Sequence, residues 1–398
     1  KSVLPKIALA NLYERTDRDA EAEKLLKEAV EADPKSADAN NALGFFYLLK
    51  DRYPEAEAAY ARVRDAYPND PLPRIVFADF LMMGRQTDRA VEAYRRLASE
   101  SSTSVVGRRR LAEIYLSRRE YDKAAPLINE ILAADARNVE GQTLQGQMLL
   151  MQKNVPEATK ILKAAVKAKP AYARARYFLG LASVNSGDIE KGREELARAI
   201  FLDNTLIQAY IALAQLELEA GEWRTAAEVA QQALQRSPTL GEARLILAKA
   251  LVQLRDYPKA REILDAYLAK NPSSDAGHHQ MGLVHKAQGN AQLAEREFEL
   301  ALKSNPQYFQ ALASLSSLYI SLNNPQKALD RINQAVAQNP DRAELYQILG
   351  MAYREMNDNA GAERAFLKAV SMDPANAGHR QILSGFYAET GQADKSIA

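Results

Sequence analysis

Three of the four histidines crowd into one short stretch, at His278, His279 and His285, while His379 stands apart. Imidazole is the commonest metal ligand and the side chain that titrates nearest neutrality, so this is the first place to look for chemistry. His278 and His285 lie seven apart and share a helix face. No HExxH accompanies them, and no third ligand of the usual kind stands nearby. The cluster reads as ordinary imidazoles, with no metal site expected. A second concentration is cationic. Between Arg85 and Arg119 there are nine arginines and four acids, a local excess near +5. Arg108, Arg109 and Arg110 are consecutive, so they point around a helix and cannot all face one partner. Three readings stay open: a solvated face, a dock for an acidic or phosphate-bearing peptide, and a nucleic-acid contact. The last is disfavoured because Lys plus Arg is 52 and Asp plus Glu is 51 over the whole chain.

Other chemistry finds no support. The chain has no GxSxG nucleophile elbow and no glycine-rich phosphate loop ending in GK[ST]. It has no cysteine, which removes disulfides, thiolate nucleophiles and Cys-ligated metals. Its acids are spread out, and none forms an isolated catalytic pair. We therefore expect no catalytic residue, no cofactor and no enzymatic activity. With 47% hydrophobic and 26% charged residues the chain is too apolar to be disordered. No apolar run approaches the length that crosses a bilayer. No leader pattern is recognisable at Lys1, and a segment removed by processing would leave no trace.

The elements behind these residues repeat. Pro34, Pro68, Pro170, Pro238, Pro272, Pro306, Pro340 and Pro374 fall on one 34-residue grid, with Ser102, Ala136 and Asn204 at the remaining points. Ten residues after each grid point the side chain is always small, as at Gly44, Ala78, Gly146, Gly282, Ser316 and Gly350. Twelve residues before each grid point stands alanine, or glycine at Gly192, as at Ala56, Ala90, Ala226 and Ala362. The apolar spacing predicts two helices per unit, exemplified by Ala39 to Leu49 and Pro54 to Val63. Pro54, Pro156 and Pro258 suit the first turn of the second helix. The grid proline closes that helix, because the residue before a proline is pushed out of the helical region. The small positions are expected to bring the two helices close, Gly44-type residues meeting Ala56-type residues. Two places break the pattern. Ala98 to Gly107 is serine-rich and predicts a flexible joint or irregularity, and Pro126 predicts a kink inside a second helix.

A 34-residue unit with these small residues resembles the tetratricopeptide repeat family, and the resemblance covers essentially the whole chain. It implies an all-α, right-handed superhelical solenoid of helix-turn-helix repeats, in a single domain over 1–398. The repeats would span 3–36, 37–70, 71–104, 105–138, 139–172, 173–206, 207–240, 241–274, 275–308, 309–342 and 343–376, with a partial one at 377–398. A chain that stops just after its last second helix would begin is expected to be shortened or to continue. The family's large aromatic near the start of each unit is mostly missing: Tyr210 and Tyr346 hold that position, but so do Asn40, Arg74 and Arg108.

The resemblance further implies that first helices line a concave groove that takes a protein or an extended peptide. Carried over residue by residue, the groove candidates are Phe45, Met82, Arg109, Met151, Tyr177, Leu181, Ile211, Leu245 and His279. Either these form an apolar groove, or some of them are core residues and the helix rotation is slightly different. Co-chaperone members hold a terminal carboxylate with Lys and Asn on successive first helices. The matching positions here are Phe45, Asp79, Glu113, Gln147 and Leu181, so no such clamp is expected. The expectation is a non-enzymatic, protein-binding scaffold for a multiprotein complex. Two alternatives stay open, the structural arm of a larger protein and a self-associating homo-oligomer. The Ala/Gln/Arg-rich composition and the Asn-Pro and Asp-Pro punctuation look like bacterial members tied to envelope or exopolysaccharide assembly. That leaves the compartment between bacterial cytoplasm and periplasm, with the periplasm slightly favoured.

Overall fold

The computed structural model describes residues 2–100 and 103–392, and among these every regular element is helical. The helices come in pairs: α1 Val3–Arg15 and α2 Asp19–Ala32, α3 Ala37–Leu49 and α4 Tyr53–Ala66, α5 Pro71–Met83 and α6 Thr87–Ser99. Next come α7 Ser104–Ser117 and α8 Tyr121–Ala134, α9 Val139–Met151 and α10 Val155–Ala168, α11 Ala173–Asn185 and α12 Ile189–Leu202. Then follow α13 Ile207–Glu219 and α14 Trp223–Arg236, α15 Gly241–Gln253 and α16 Tyr257–Lys270, α17 Asp275–Ala287 and α18 Ala291–Ser304. The last are α19 Phe309–Ser321 and α20 Pro325–Gln338, α21 Ala343–Glu355 and α22 Asn359–Met372, and the unpaired α23 Ala377–Glu389. This is an all-α solenoid of paired helices. The chain divides into two compact units, Lys1–Arg198 and Ala199–Ala398.

One turn geometry recurs within every pair. The second residue after each first helix has positive φ, whether it is glycine, as at Gly187 (86°), or not, as at Asp51 (57°), Arg119 (59°) and Lys153 (63°). The next residue's N–H then reaches back five positions to a helix carbonyl. This bond runs from Arg18 on Tyr13 through to Gln392 on Tyr387 at 2.8–2.9 Å. That is the Schellman closure, which satisfies carbonyls the helix end would leave bare. It also sets the hairpin angle, so the sequence tolerates an unfavourable φ at eight non-glycine residues to keep it.

The core explains the small-residue register, with one correction. A Cβ on Gly44 would lie 2.7 Å from the Tyr60 ring, and on Gly282 or Gly350 2.5 Å from the rings of Phe298 or Phe366. On Gly146 it would lie 2.5 Å from Leu162. The Gly44-type residue thus makes room for a large side chain one turn beyond the Ala56-type position, where it was expected to meet the alanine itself. At Gly180 and Gly192 the two small positions do meet, with a Cβ on either falling 3.2 Å from the other's carbonyl oxygen. Phe298, Phe366, Leu162 and Leu196 are all at most 1% exposed, so each fills its slot. Burying one such side chain contributes about 1.5–3 kcal/mol.

Polar contacts replace the missing family aromatic. At its position Asn40, Gln142, Arg176, Arg244 and His278 each bond the carbonyl of the preceding grid residue, at 2.6–3.0 Å. Arg108, Arg176 and His278 also pair with an acid of the second helix: Glu130 at 2.6 Å, Glu195 at 2.7 Å and Glu297 at 2.7 Å. The loop that an aromatic ring would hold by packing is held here by donors.

The two irregular places come out differently. Helix α8 starts on the same register as its counterparts and runs through Pro126. Pro126 and Asp122, whose carbonyl loses its partner, both face water, which lowers the cost of the missing bond. In the serine-rich segment, residues 101 and 102 lie outside the described residues. Its flanks are tightly packed: the Thr103 hydroxyl donates to the Leu97 carbonyl at 2.7 Å, and a Cβ on Gly107 would lie 2.3 Å from the Ala98 nitrogen.

Candidate functional site

What the first helices carry differs between the two units. In the first unit, Phe45 and Leu49 on α3 and Met83 on α5 are each about half exposed (48%, 48% and 52%). Met82, Met151, Tyr177 and Leu181 are half-buried beside the core, and the Tyr177 ring packs 4.9 Å from Phe178. Phe45 is therefore a surface residue, while the other four apolar candidates show only an edge to solvent.

A polar ladder crosses the same face. The Tyr94 hydroxyl donates to Asp79 at 2.6 Å, and Arg110 pairs with Asp79 at 3.0 Å and with Glu113 at 3.4 Å. Arg174 pairs with Glu113 and donates to the Gln147 amide oxygen at 3.3 Å. Arg109, expected in the groove, is half-buried and paired with Glu140 at 2.9 Å. Burial works against the Arg110 charge, but Asp79 and Glu113 outweigh it and raise its pKa. Burial also pushes the Tyr94 phenol up, reinforced by its bond to Asp79. Asp79, Met82, Met83, Tyr94, Arg110, Glu113, Ile114 and Ser117 enclose a hollow of about 520 Å³. Asp79, Glu113 and Gln147 are the residues that excluded a Lys–Asn clamp. The arginines bridging them come from α7 and α11, and Arg174 stands 61 residues from Glu113. The only sequence signal was that these acids needed partners.

The second unit holds Ile211 and Leu245 half-buried on α13 and α15. His279 is a correction to the groove set. It is 7% exposed, packed between the rings of Phe298 (5.7 Å) and Tyr308 (5.4 Å), with its Nε2 2.9 Å from the Ser314 hydroxyl. Burial, with Lys249's charge adding to it, pulls its pKa down to about 4, so the ring is neutral and part of the core. The surface it was expected to supply carries Lys249, exposed on α15, and Lys286, half-buried on α17. Lys286 donates to the Ser317 hydroxyl of α19 at 3.1 Å. Burial lowers its pKa, with Glu355 pulling weakly the other way.

The remaining candidates for chemistry are placed elsewhere. Both ring nitrogens of His278 are engaged, by Glu297 and by the Pro272 carbonyl, and His285 is buried. Among the described residues no three His, Cys, Asp or Glu side chains converge to hold a metal. The basic stretch is dispersed into pairs: Arg89 with Glu57, Arg96 with Glu92, Arg108 with Glu130, Arg109 with Glu140 and Arg110 with Asp79. Each of these five arginines thus has an acid in reach. No helix among the described residues is long and apolar enough to cross a membrane.

Paired helices with a closed turn, stacked at a 34-residue spacing and offering partly apolar first-helix faces, define a helical-repeat recognition solenoid. The chain belongs to the tetratricopeptide repeat family. One tetratricopeptide repeat family model matches residues 6–74, 217–281 and 286–351. Others match 78–139, 109–171 and 343–376, and the second ARM domain of tetratricopeptide repeat protein 21 matches 148–221. No curated protein matches the sequence significantly. Among solved structures, a tetratricopeptide repeat protein from Parabacteroides merdae is similar at 21% identity and a TM-score of 0.52, over 62% of this chain and 98% of that one. A chain of the APC/C hetero-tetramer Cut9–Hcn1 is similar at 17% identity and a TM-score of 0.51, over 95% of this chain and 74% of that one. Both likenesses concern the fold. A solenoid of this family is a generic protein- and peptide-binding scaffold.

Proposed function

We propose that the chain is a non-enzymatic scaffold that holds a protein partner, through an extended segment, on its first-helix faces. The observation that carries this reading lies in the first unit. Phe45 and Leu49 on α3 and Met83 on α5 stay about half exposed, and Met83 borders a hollow whose polar groups are already fixed by ion pairs. Apolar surface next to pre-organised polar groups is the usual make-up of a recognition site. Methionines add adaptability to such a surface. The scaffold serves a multiprotein complex in bacterial envelope or exopolysaccharide assembly, on the periplasmic side. The Ala/Gln/Arg-rich composition and the Asn-Pro and Asp-Pro punctuation support this assignment, and cell fractionation checks it.

The binding test uses Tyr177→Ala and Ile211→Ala, one in each unit. With a partner captured from the native lysate, each change weakens binding by roughly 2 kcal/mol while most of the stability stays intact. Loss of folding without a separate loss of affinity would place both side chains in the core and overturn their role in binding.

A further inference from the structure

Two first-helix cations of the second unit stand without the acid partners that meet the arginines of the first. Among the described residues no carboxylate lies within ion-pair distance of Lys249 or Lys286, whereas Arg109, Arg110 and Arg174 of the first unit are all paired. Lys286 is half-buried, and its one hydrogen bond goes to a neutral hydroxyl, Ser317. A desolvated ammonium without a counter-charge is unfavourable unless something else supplies one. The burial-driven fall in its pKa is the same penalty seen in titration, and Glu355 offsets it only from a distance. Lys249 lies near enough to His279, on α17, for its charge to act on that ring, and Lys286 follows seven residues further along the same helix. Leu245 and Leu283 show partly buried side chains on the same two helices.

We propose that this face of α15, α17 and α19 takes an extended segment of a partner protein bearing two acidic side chains two residues apart. The spacing follows from geometry. Helices α15 and α17 pack directly against each other, and packed helices lie about 8–10 Å apart. In an extended chain alternate residues point the same way and lie about 6.6–7 Å apart. Two lysine arms close the remaining few ångströms. Apolar residues at the flanking alternate positions meet Leu245 and Leu283. The inference rests on reading the first-helix faces as peptide-binding.

The test is fluorescence anisotropy with the full chain and a dye-labelled peptide, Leu-Ser-Glu-Ser-Glu-Ser-Leu, acetylated and amidated so that no terminal carboxylate remains. The same peptide with Gln for Glu is the control. A third carries Gln and a free C-terminus. The Glu peptide is expected to bind at least tenfold more tightly than either, and to weaken as salt is raised. Lys249→Gln and Lys286→Met each cost it about tenfold. Lys249 is exposed, so its variant keeps the fold, as circular dichroism will show. Equal binding of the Glu and blocked Gln peptides, or affinity unchanged in both variants, overturns the acidic specificity while leaving the peptide-binding face standing. Preference for the free C-terminus overturns the internal acidic segment. No binding of the Glu peptide also overturns the proposal, and the Tyr177 and Ile211 variants then judge the binding face independently.

Discussion

The two units use one repeat to make two different surfaces. In the first, Asp79, Glu113, Arg110, Arg174 and Tyr94 form a closed ladder, and the surface between them is apolar. In the second, among the described residues, Lys249 and Lys286 lie on adjacent first helices with no acid within ion-pair distance, and the His279 ring near Lys249 is buried. Backbone and turn are the same in both. Charge on a repeat face is therefore structural where its partners lie on neighbouring units, and available for recognition where they do not.

The largest expected break in this comparison is acid. His279 has a folded pKa near 4 against an ordinary value of 6.5, so between those pH values the unfolded chain binds more protons. Stability in the second unit is then fully present above pH 6.5 and falls as the pH drops, by about 3 kcal/mol at pH 4. Urea midpoints of wild type and His279→Leu should diverge in slope across that window. Parallel pH profiles would show that the buried ring is not the acid-sensitive group.

Charge deletion should separate the units next. Asp79→Ala leaves the Tyr94 hydroxyl and the Arg110 guanidinium without their carboxylate and should cost about 2 kcal/mol. Lys286→Met removes a partly desolvated charge that no acid holds, and should be neutral or gain up to about 1 kcal/mol. Chemical melts that ranked the two the other way would reverse the contrast. The smallest effect belongs to the turn both units share: Lys153→Gly, at a φ of 63°, should gain about 0.5 kcal/mol by relieving the left-handed conformation.

What was legible in the sequence was what repeats or lies close along the chain. The alanine and glycine registers and the grid prolines defined helix pairs because each unit restates the same local packing. Even so, the sequence pairs Gly44 with the alanine of the second helix, whereas its nearest neighbour is the Tyr60 ring, one turn further on. Helical period locates a face but not which of two adjacent turns makes the contact. The same ambiguity of about one side chain around the axis put His279 in the groove, although it packs between Phe298 and Tyr308. Phe45, by contrast, reached the surface. The ladder from Asp79 to Arg174 was invisible because it joins α5, α7 and α11 across dozens of residues, and no local pattern records such pairings. The donors at the missing-aromatic position were visible as residues, and their bond to the grid carbonyl was the missing step.

The most direct measurement is crosslinking mass spectrometry of the chain with partners captured from its native lysate, mapped by lysine. If first-helix faces are the binding surface, partner crosslinks gather on Lys249 and Lys286. The more exposed second-helix lysines, Lys160 at 77% and Lys259 at 70% exposure, stay largely uncrosslinked. Crosslinks concentrated on Lys160 and Lys259, with Lys249 and Lys286 silent, would place the partner on the opposite face and contradict the account.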